Sequence, residues 1–508
     1  MYAISGMKKK RWKILLLAPY LLILAATASL MILFIILNAR HKNINLILNT
    51  FGEHTDSDHD ERREKIKEAF LYAWNIYKKN CWGYDFINTA ELRCFNYLTS
   101  GLTIVDSLTT LILMNLTTEY EESKKFVEKN FTLRGSWKTF EVIIRYLGSF
   151  ISSYELTNEE VFLNKSIIVM NLIDKLLDKN GFLLDYADFN DSDGQIKITR
   201  NYGDTTLALL GTLQLEYLSM AKITKNDYFV HRGLNFWRNI WKKYPNESFI
   251  FDAYQYQENG CRDIGRNTDS YYEYILKSYL LTNRKSKTIL DRHLLMMKEI
   301  KRYMYYYHKA TDIHFVGKSC WNILYGDDHH LTTFLAGLIG IGAIEENPAR
   351  EEDFEIAKNL TDGYYKMYKR YKTGLMPELA IFHENGSVSV EFSSYYLRPE
   401  TVESIYYMWK LTGDKKYREM AWNIFLSIDK YCRCENGYSS IDDVDSENPV
   451  KTGYQDSYFF SETLKYLYLT FCGRNYLPLN EWVFNTEGHP LRVWSDEDYN
   501  HLKTHLFE

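Results

Sequence analysis

The sequence predicts an all-α fold, a toroid of helical hairpins preceded by a single transmembrane helix. Three observations carry this expectation. An uncharged apolar run extends from Ile14 to Leu37. Pro is scarce, 8 in 508 residues, which suits long helices better than loop-rich β architecture. From Arg62 onward the helical pattern hardly stops, and it is punctuated by a recurring turn.

The apolar run exceeds the roughly 20 residues that a bilayer-spanning helix needs. Met7-Lys8-Lys9-Lys10-Arg11-Trp12-Lys13 precedes it, and such a basic cluster keeps residues 1–13 cytosolic, although Arg40 and Lys42 weaken the bias. Ala26-Thr27-Ala28 resembles a signal-peptide cleavage site. The apolar part of a signal peptide is only about 7–15 residues, however, and this run continues through Met31-Ile32-Leu33-Phe34-Ile35-Ile36. The expectation is therefore an uncleaved anchor over 14–37. Residues 38–61 read as a polar stem, in which His54, Asp56, Asp58, His59 and Asp60 form a solvated stretch rather than a metal site. Residues 62–508 would then be a lumenal catalytic domain. Asn-X-Ser/Thr triplets at Asn115, Asn130, Asn164, Asn190, Asn246, Asn359 and Asn385 agree with that orientation. A net charge of −5, with no basic block beyond the amino terminus, argues against nucleic acid as a partner. Seven scattered cysteines make neither a metal spacing nor a dense disulfide framework.

The repeat defines the domain. Leu156-Thr157-Asn158, Ile223-Thr224-Lys225, Leu281-Thr282-Asn283 and Leu411-Thr412-Gly413-Asp414 each end one apolar helical run and precede another. Weaker versions occur at Leu116-Thr117-Thr118, Glu346-Asn347-Pro348 and Cys472-Gly473-Arg474. Spacings of roughly 60–65 residues accommodate two helices and their loops, giving about seven hairpins. An open solenoid could use the same pattern. A closed toroid better explains why acids and glycines gather at the opposite helix ends.

Those acids are the candidate functional residues. Glu141 and Arg145 lie four apart within an apolar helical run, so they share a face. Asp269 is positioned to cap the helix that carries Glu273. Met376-Pro377-Glu378 and Ser461-Glu462-Thr463 continue the theme. In Leu397-Arg398-Pro399-Glu400-Thr401-Val402-Glu403-Ser404, Pro399 suits a first helical turn, and Glu400 and Glu403 project from one side of it. Each acid alone has a structural reading, since carboxylates favour helix N-termini. Half a dozen at equivalent helix ends would converge on one cavity. An acidic, aromatic-rich cavity suits carbohydrate, where two carboxyls provide acid and base. Val483-Phe484-Asn485-Thr486-Glu487-Gly488-His489-Pro490-Leu491 reads as a β-hairpin or plug closing the toroid. Its Thr486 oxygens could instead form part of a hard-cation site. His329 and His330 diverge as neighbours and read as loop residues at a helix start.

Together these segments, with Gly101-Leu102-Thr103-Ile104-Val105-Asp106-Ser107-Leu108 and Gly211-Thr212-Leu213-Gln214-Leu215-Glu216-Tyr217-Leu218-Ser219, resemble glycoside hydrolase family 47, the class I α-1,2-mannosidases. The resemblance implies an (α/α)7 barrel and calcium-dependent, inverting removal of terminal mannose from high-mannose N-glycans on glycoproteins. It further implies an endoplasmic reticulum or Golgi membrane address, single-pass type II. By resemblance, Glu141 is the general acid acting through a water, Glu400 is the general base, Asp269 is a further catalytic carboxylate, and Thr486 binds Ca2+. Arg145, Glu216, Glu273, Glu378, Arg398, Glu403, Glu462 and Glu487 match cavity positions around the sugar and the metal's water shell, and Tyr458 matches a stacking aromatic. Departures are Thr333 and Tyr364, where the family has a disulfide, Gly148-Ser149 for a Gly-Gly, and Asn267 where the endoplasmic reticulum enzyme has an Arg. The alternative is a degradation-enhancing mannosidase-like or lectin-like glycan-binding factor, and a noncatalytic helical scaffold is a third reading.

Overall fold

The recurring turn is the joint between helices. At its four strong copies the Thr157, Thr224, Thr282 and Thr412 hydroxyls donate back to the carbonyls of Ser153, Met220, Ser278 and Met408. The next residue is left-handed, with φ of 58° at Asn158, 54° at Lys225, 62° at Asn283 and 68° at Gly413. The hydroxyl adds a bond to the carbonyl one turn back, and the left-handed residue stops the helix. At the weaker copy near Leu116 the left-handed residue is Asn115, and Thr117 already starts the next helix.

This computed structural model describes residues 57–507 except 134, 192–195, 202–204 and 250–259. All of them fall in the unit Thr55–Glu508. The helices are α1 (Ser57–Cys81), α2 (Leu108–Leu113), α3 (Thr117–Lys129), α4 (Gly148–Thr157), α5 (Glu160–Leu176), α6 (Gln214–Thr224), α7 (Tyr228–Lys243), α8 (Asp269–Leu281), α9 (Lys287–Tyr303), α10 (Leu335–Ala343), α11 (Arg350–Arg370), α12 (Glu400–Thr412), α13 (Lys415–Tyr431) and α14 (Leu464–Thr470). Six hairpins run from α2/α3 to α12/α13, and α14 packs on α1 as the seventh pair. The even-numbered helices contact one another in sequence around the ring, which makes them the inner layer. Their burial fits that position: α12 is buried from Thr401 to Lys410 without interruption, and α10 along its whole length. Outer α5 buries one stripe, Phe162, Ser166, Val169, Met170, Leu172, Ile173 and Leu176, related by steps of three and four. The result is an (α/α) toroid.

Two expectations change. The loops carry short β-hairpins, including Tyr186–Asp191 with Ile196–Asn201 and Leu379–Phe382 with Val388–Phe392. Strands this short leave no mark on a helical periodicity, and the helical class stands. The expected membrane attachment is corrected: no helix of the described residues is long and apolar enough to cross a membrane. The transmembrane element of the fold class, the membrane partner and the single-pass type II topology therefore have no counterpart in this fold. The tail 1–13, the anchor 14–37 and the stem as far as residue 56 lie outside the described residues.

The terminal segment is a β-hairpin, Trp482–Phe484 with Pro490–Arg492, pairing Val483 with Leu491. It packs against α8 and α4. Gly148 makes room for it, because a Cβ at that position would lie 2.4 Å from Asn485 Nδ2. Its turn, Asn485 to His489, reaches the same end of the toroid as the N-termini of the inner helices.

Candidate active site

The general architecture of the site follows from where the inner helices begin. Glu400 is the first residue of α12 and Pro399 its cap; Glu403 is one turn on. Asp269 opens α8, but Thr268 rather than Asp269 holds the cap position. The Asp269 carboxylate accepts from the Ser270 amide at 2.7 Å. Glu216 lies in the first turn of α6, and Glu462 in the π-helical segment Phe459–Thr463 before α14. Glu141 ends a short helical turn that continues as a π-helix over Val142–Leu147, a distortion common at functional sites.

On one side, Arg145 ties the acids together. Its Nε donates to Glu141 at 2.7 Å, and Nη1 donates to Glu487 at 2.7 Å and to Ser457 Oγ at 2.8 Å. Asp106 Oδ2 lies 3.4 Å from the same nitrogen. Across the cavity, Arg398 makes a two-pronged bond to Glu378, at 2.9 and 3.0 Å. The Tyr458 ring lies between the two guanidinium groups, 5.9 Å from Arg145 and 5.6 Å from Arg398, and its hydroxyl donates to the Tyr396 carbonyl at 2.6 Å. Glu273 and Glu403 share the buried Lys277, whose ammonium lies 3.2 Å from Glu403. Every residue expected at the site thus sits at one end of the toroid.

The carboxylates are not alike. Burial opposes ionisation of Glu400, but a hydrogen bond from His330, 2.9 Å away, and the charge of Arg398 hold it below the usual glutamate range. Burial pushes Asp269 up to about 7, helped by the charges of Glu273 and Glu400. Burial also raises Glu403 to about 7, against the pull of Lys277. Glu216 is raised to about 7 by burial, even though its Oε1 accepts from Tyr274 and Asn485, each at 2.9 Å. Burial and the charges of Glu487, Glu400 and Glu403 push Glu462 well above the ordinary range.

Two of these raised acids lie against the Asn485–His489 turn that carries Thr486: Glu216, which accepts from Asn485, and Glu462, beside Gly488. Glu216 Oε2 is buried without a hydrogen-bond partner. Among the described residues no three His, Cys, Asp or Glu side chains group to hold a metal directly. What the floor offers is hard oxygen donors and surplus negative charge, which fits a dication held through Thr486 and a shell of water.

Four contributors escaped the sequence reading. His330 was read as a loop residue; its ring is fully buried and bonded to Glu400. Lys277 and Asp106 are charged residues inside apolar runs, which is a usable signal, since such groups are rarely buried unless paired. Asp106 is also bonded to His489 Nε2 at 3.1 Å. Asp456, half-buried, is pushed up by burial against the pull of both Arg145 and Arg398. The cysteines also hold more than their spacing suggested: Cys81 pairs with Cys94 and Cys261 with Cys320.

Clustered carboxylates and two arginine clamps at one end of a helical toroid suit sugar chemistry, and the relatives of the chain make it a glycoside hydrolase. Residues 69–493 match the model of glycosyl hydrolase family 47, and the chain belongs to that family. The mannosyl-oligosaccharide alpha-1,2-mannosidase IA of Drosophila melanogaster is 32% identical over 467 residues, covering 86% of this chain and 68% of that protein. The mannosyl-oligosaccharide 1,2-alpha-mannosidase of Candida albicans is 32% identical over 481 residues, covering 87% and 85%. In fold, the chain is similar to the solved alpha-1,2-mannosidase from Trichoderma reesei, with a TM-score of 0.76 at 23% identity over 86% of this chain and 99% of that one.

Proposed function

We propose that this chain, with 62–508 as its catalytic domain, hydrolyses terminal α-1,2-linked mannose from high-mannose N-glycans with inversion of configuration. The observation that carries the reading is the buried Glu400 carboxylate bonded to His330 at 2.9 Å, which with the charge of Arg398 holds it below its ordinary range while neighbouring acids are pushed up. An ionised carboxylate is what a general base must be before it takes a proton from water. Glu400 deprotonates the attacking water, and a second carboxyl across the sugar delivers a proton to the leaving oxygen. Glu141 fills that second role, through a water, because its Oε2 is occupied by Arg145. A second assignment has its own support: Asp269, raised to about 7, retains a proton near neutrality and could be the donor.

Arg398 and Glu378, with Tyr458 braced beside them, supply a fixed polar wall for sugar hydroxyls. Thr486 would hold Ca2+, with Glu216, Glu462 and Glu487 bonding its water shell. A calcium ion bound there would polarise sugar hydroxyls and help orient the ring.

Incubating the protein with a high-mannose glycan, with and without a chelator, tests the reading. Free mannose should appear first as the β-anomer and only with calcium present. No mannose under any calcium condition would sink it. A mannosyl fluoride separates the two acid assignments, because fluoride leaves without a proton: the variant of the true acid, Glu141→Gln or Asp269→Asn, retains activity on it.

A further inference from the structure

The Glu400 carboxylate is one end of a buried chain of three groups. His330 Nδ1 lies 2.9 Å from Glu400 Oε2, and His330 Nε2 lies 2.7 Å from the Tyr368 hydroxyl. His330 is fully buried and Tyr368 is 1% exposed, so no solvent competes for either ring nitrogen. A carboxylate can only accept, so Nδ1 must carry the hydrogen. In a neutral imidazole Nε2 is then the acceptor, and the Tyr368 hydroxyl must donate to it. The ring is held from behind as well. The Thr333 hydroxyl donates to the His330 carbonyl at 2.7 Å and is bonded to the Thr401 hydroxyl, next to Glu400, at 2.8 Å.

We infer that Tyr368, on outer helix α11, is a positioning residue for hydrolysis: it anchors the His330 ring at Nε2, and His330, whose hydrogen the Glu400 carboxylate holds on Nδ1, in turn orients Glu400. The inference rests on Glu400 being the base. With Oε2 bound by the imidazole, Oε1 is left to take the proton of the attacking water. Without the tyrosine hydroxyl, the ring loses its bond at Nε2 and with it the anchor that aims Nδ1–H at the carboxylate.

Tyr368→Phe removes one oxygen and leaves the ring packing in place. Its kcat should fall about tenfold or more, with KM within about twofold, as for other groups that orient a catalytic residue. In the His330→Gln background the same change should have no further effect, because the route through the imidazole is gone. In protein labelled with 15N-histidine, His330 should show a protonated Nδ1 and a hydrogen-bonded acceptor Nε2 in the wild type, and in Tyr368→Phe the Nε2 resonance should move to that of a nitrogen without a hydrogen bond. The wild-type pattern decides without any variant: a neutral His330 carrying its hydrogen on Nε2 overturns the inference. So does wild-type kcat in Tyr368→Phe, or a full additional loss in the double variant. If the wild-type chain releases no mannose, the inference falls together with the assignment of Glu400. If the wild type is active and Tyr368→Phe is unaffected, it falls alone.

Discussion

The base wall and the floor of the cavity handle buried carboxylates in opposite ways. At the wall, Glu400 has a hydrogen-bond partner in His330 and a cation in Arg398, and they hold its carboxyl below the usual range despite burial. At the floor, Glu216 keeps one oxygen without a partner, and Glu216 and Glu403 are raised to about 7. Burying an acid costs several kcal/mol unless it is paired, so the wall is finished by the chain itself while the floor is left in electrostatic debit. The difference teaches that one carboxylate is prepared to receive a proton, and that the others are arranged around something positively charged.

The comparison breaks most readily at Glu400. Glu400→Gln should lower kcat by about a thousandfold or more with the thermal unfolding midpoint little changed, whereas Glu216→Gln should leave a much larger share of turnover at saturating calcium. Comparable losses would mean that wall and floor are not distinct.

Calcium removal is the next largest effect. Because a ligand that binds only the folded state stabilises it, free calcium at 100 times its Kd should add about 2.7 kcal/mol. Thr486→Ala should abolish most of that gain. A melting temperature that ignores calcium in the wild type would refute a cation at this turn.

The third effect is a pH dependence of stability without calcium. Glu216 and Glu403 have folded-state values near 7, above the ordinary 4.5. Between those values the folded state holds protons that the unfolded chain has lost, so stability falls as pH rises, by about 3 kcal/mol per group at most. Glu400 acts in the opposite sense and lower down: its contribution is present above about 4.5 and is lost as pH falls through its depressed value. Denaturant titrations from pH 4.5 to 8 should show a decline that calcium flattens. A flat calcium-free profile would contradict the raised acids.

The smallest effect is at Thr333, whose hydroxyl joins the His330 backbone to α12. Thr333→Val keeps the shape and loses two bonds, costing about 1 kcal/mol of stability by chemical denaturation and only a modest part of kcat.

Much of this was legible in the residues. The Leu-Thr-Asn type turns mark helix ends because a threonine hydroxyl and a left-handed residue are needed there, and that logic is local. Glu141, Asp269 and Glu400 stand out because acids beside apolar helical runs are costly. His330 was not legible for a different reason. Adjacency showed correctly that His329 and His330 diverge, but the partner that matters is Glu400, 70 residues away, and only the packing of the turn His330–Phe334, ahead of α10, against α12 brings them together. The short β-hairpins and the partner of each cysteine were likewise hidden, since both depend on which loops meet.

The terminal hairpin has a consequence for the order in which the protein becomes functional. Asn485 reaches back 341 residues to the Ile144 carbonyl and 269 residues to Glu216, and His489 reaches back 380 residues to Thr109. At about 5–20 residues per second, a ribosome needs on the order of tens of seconds to travel from the first of these partners to the hairpin. During that interval the inner helices can form and pair, but their acidic mouths lack the turn that carries Thr486 and bonds Glu216 through Asn485. Activity therefore appears late and all at once, when the hairpin enters a ring that has been waiting for it.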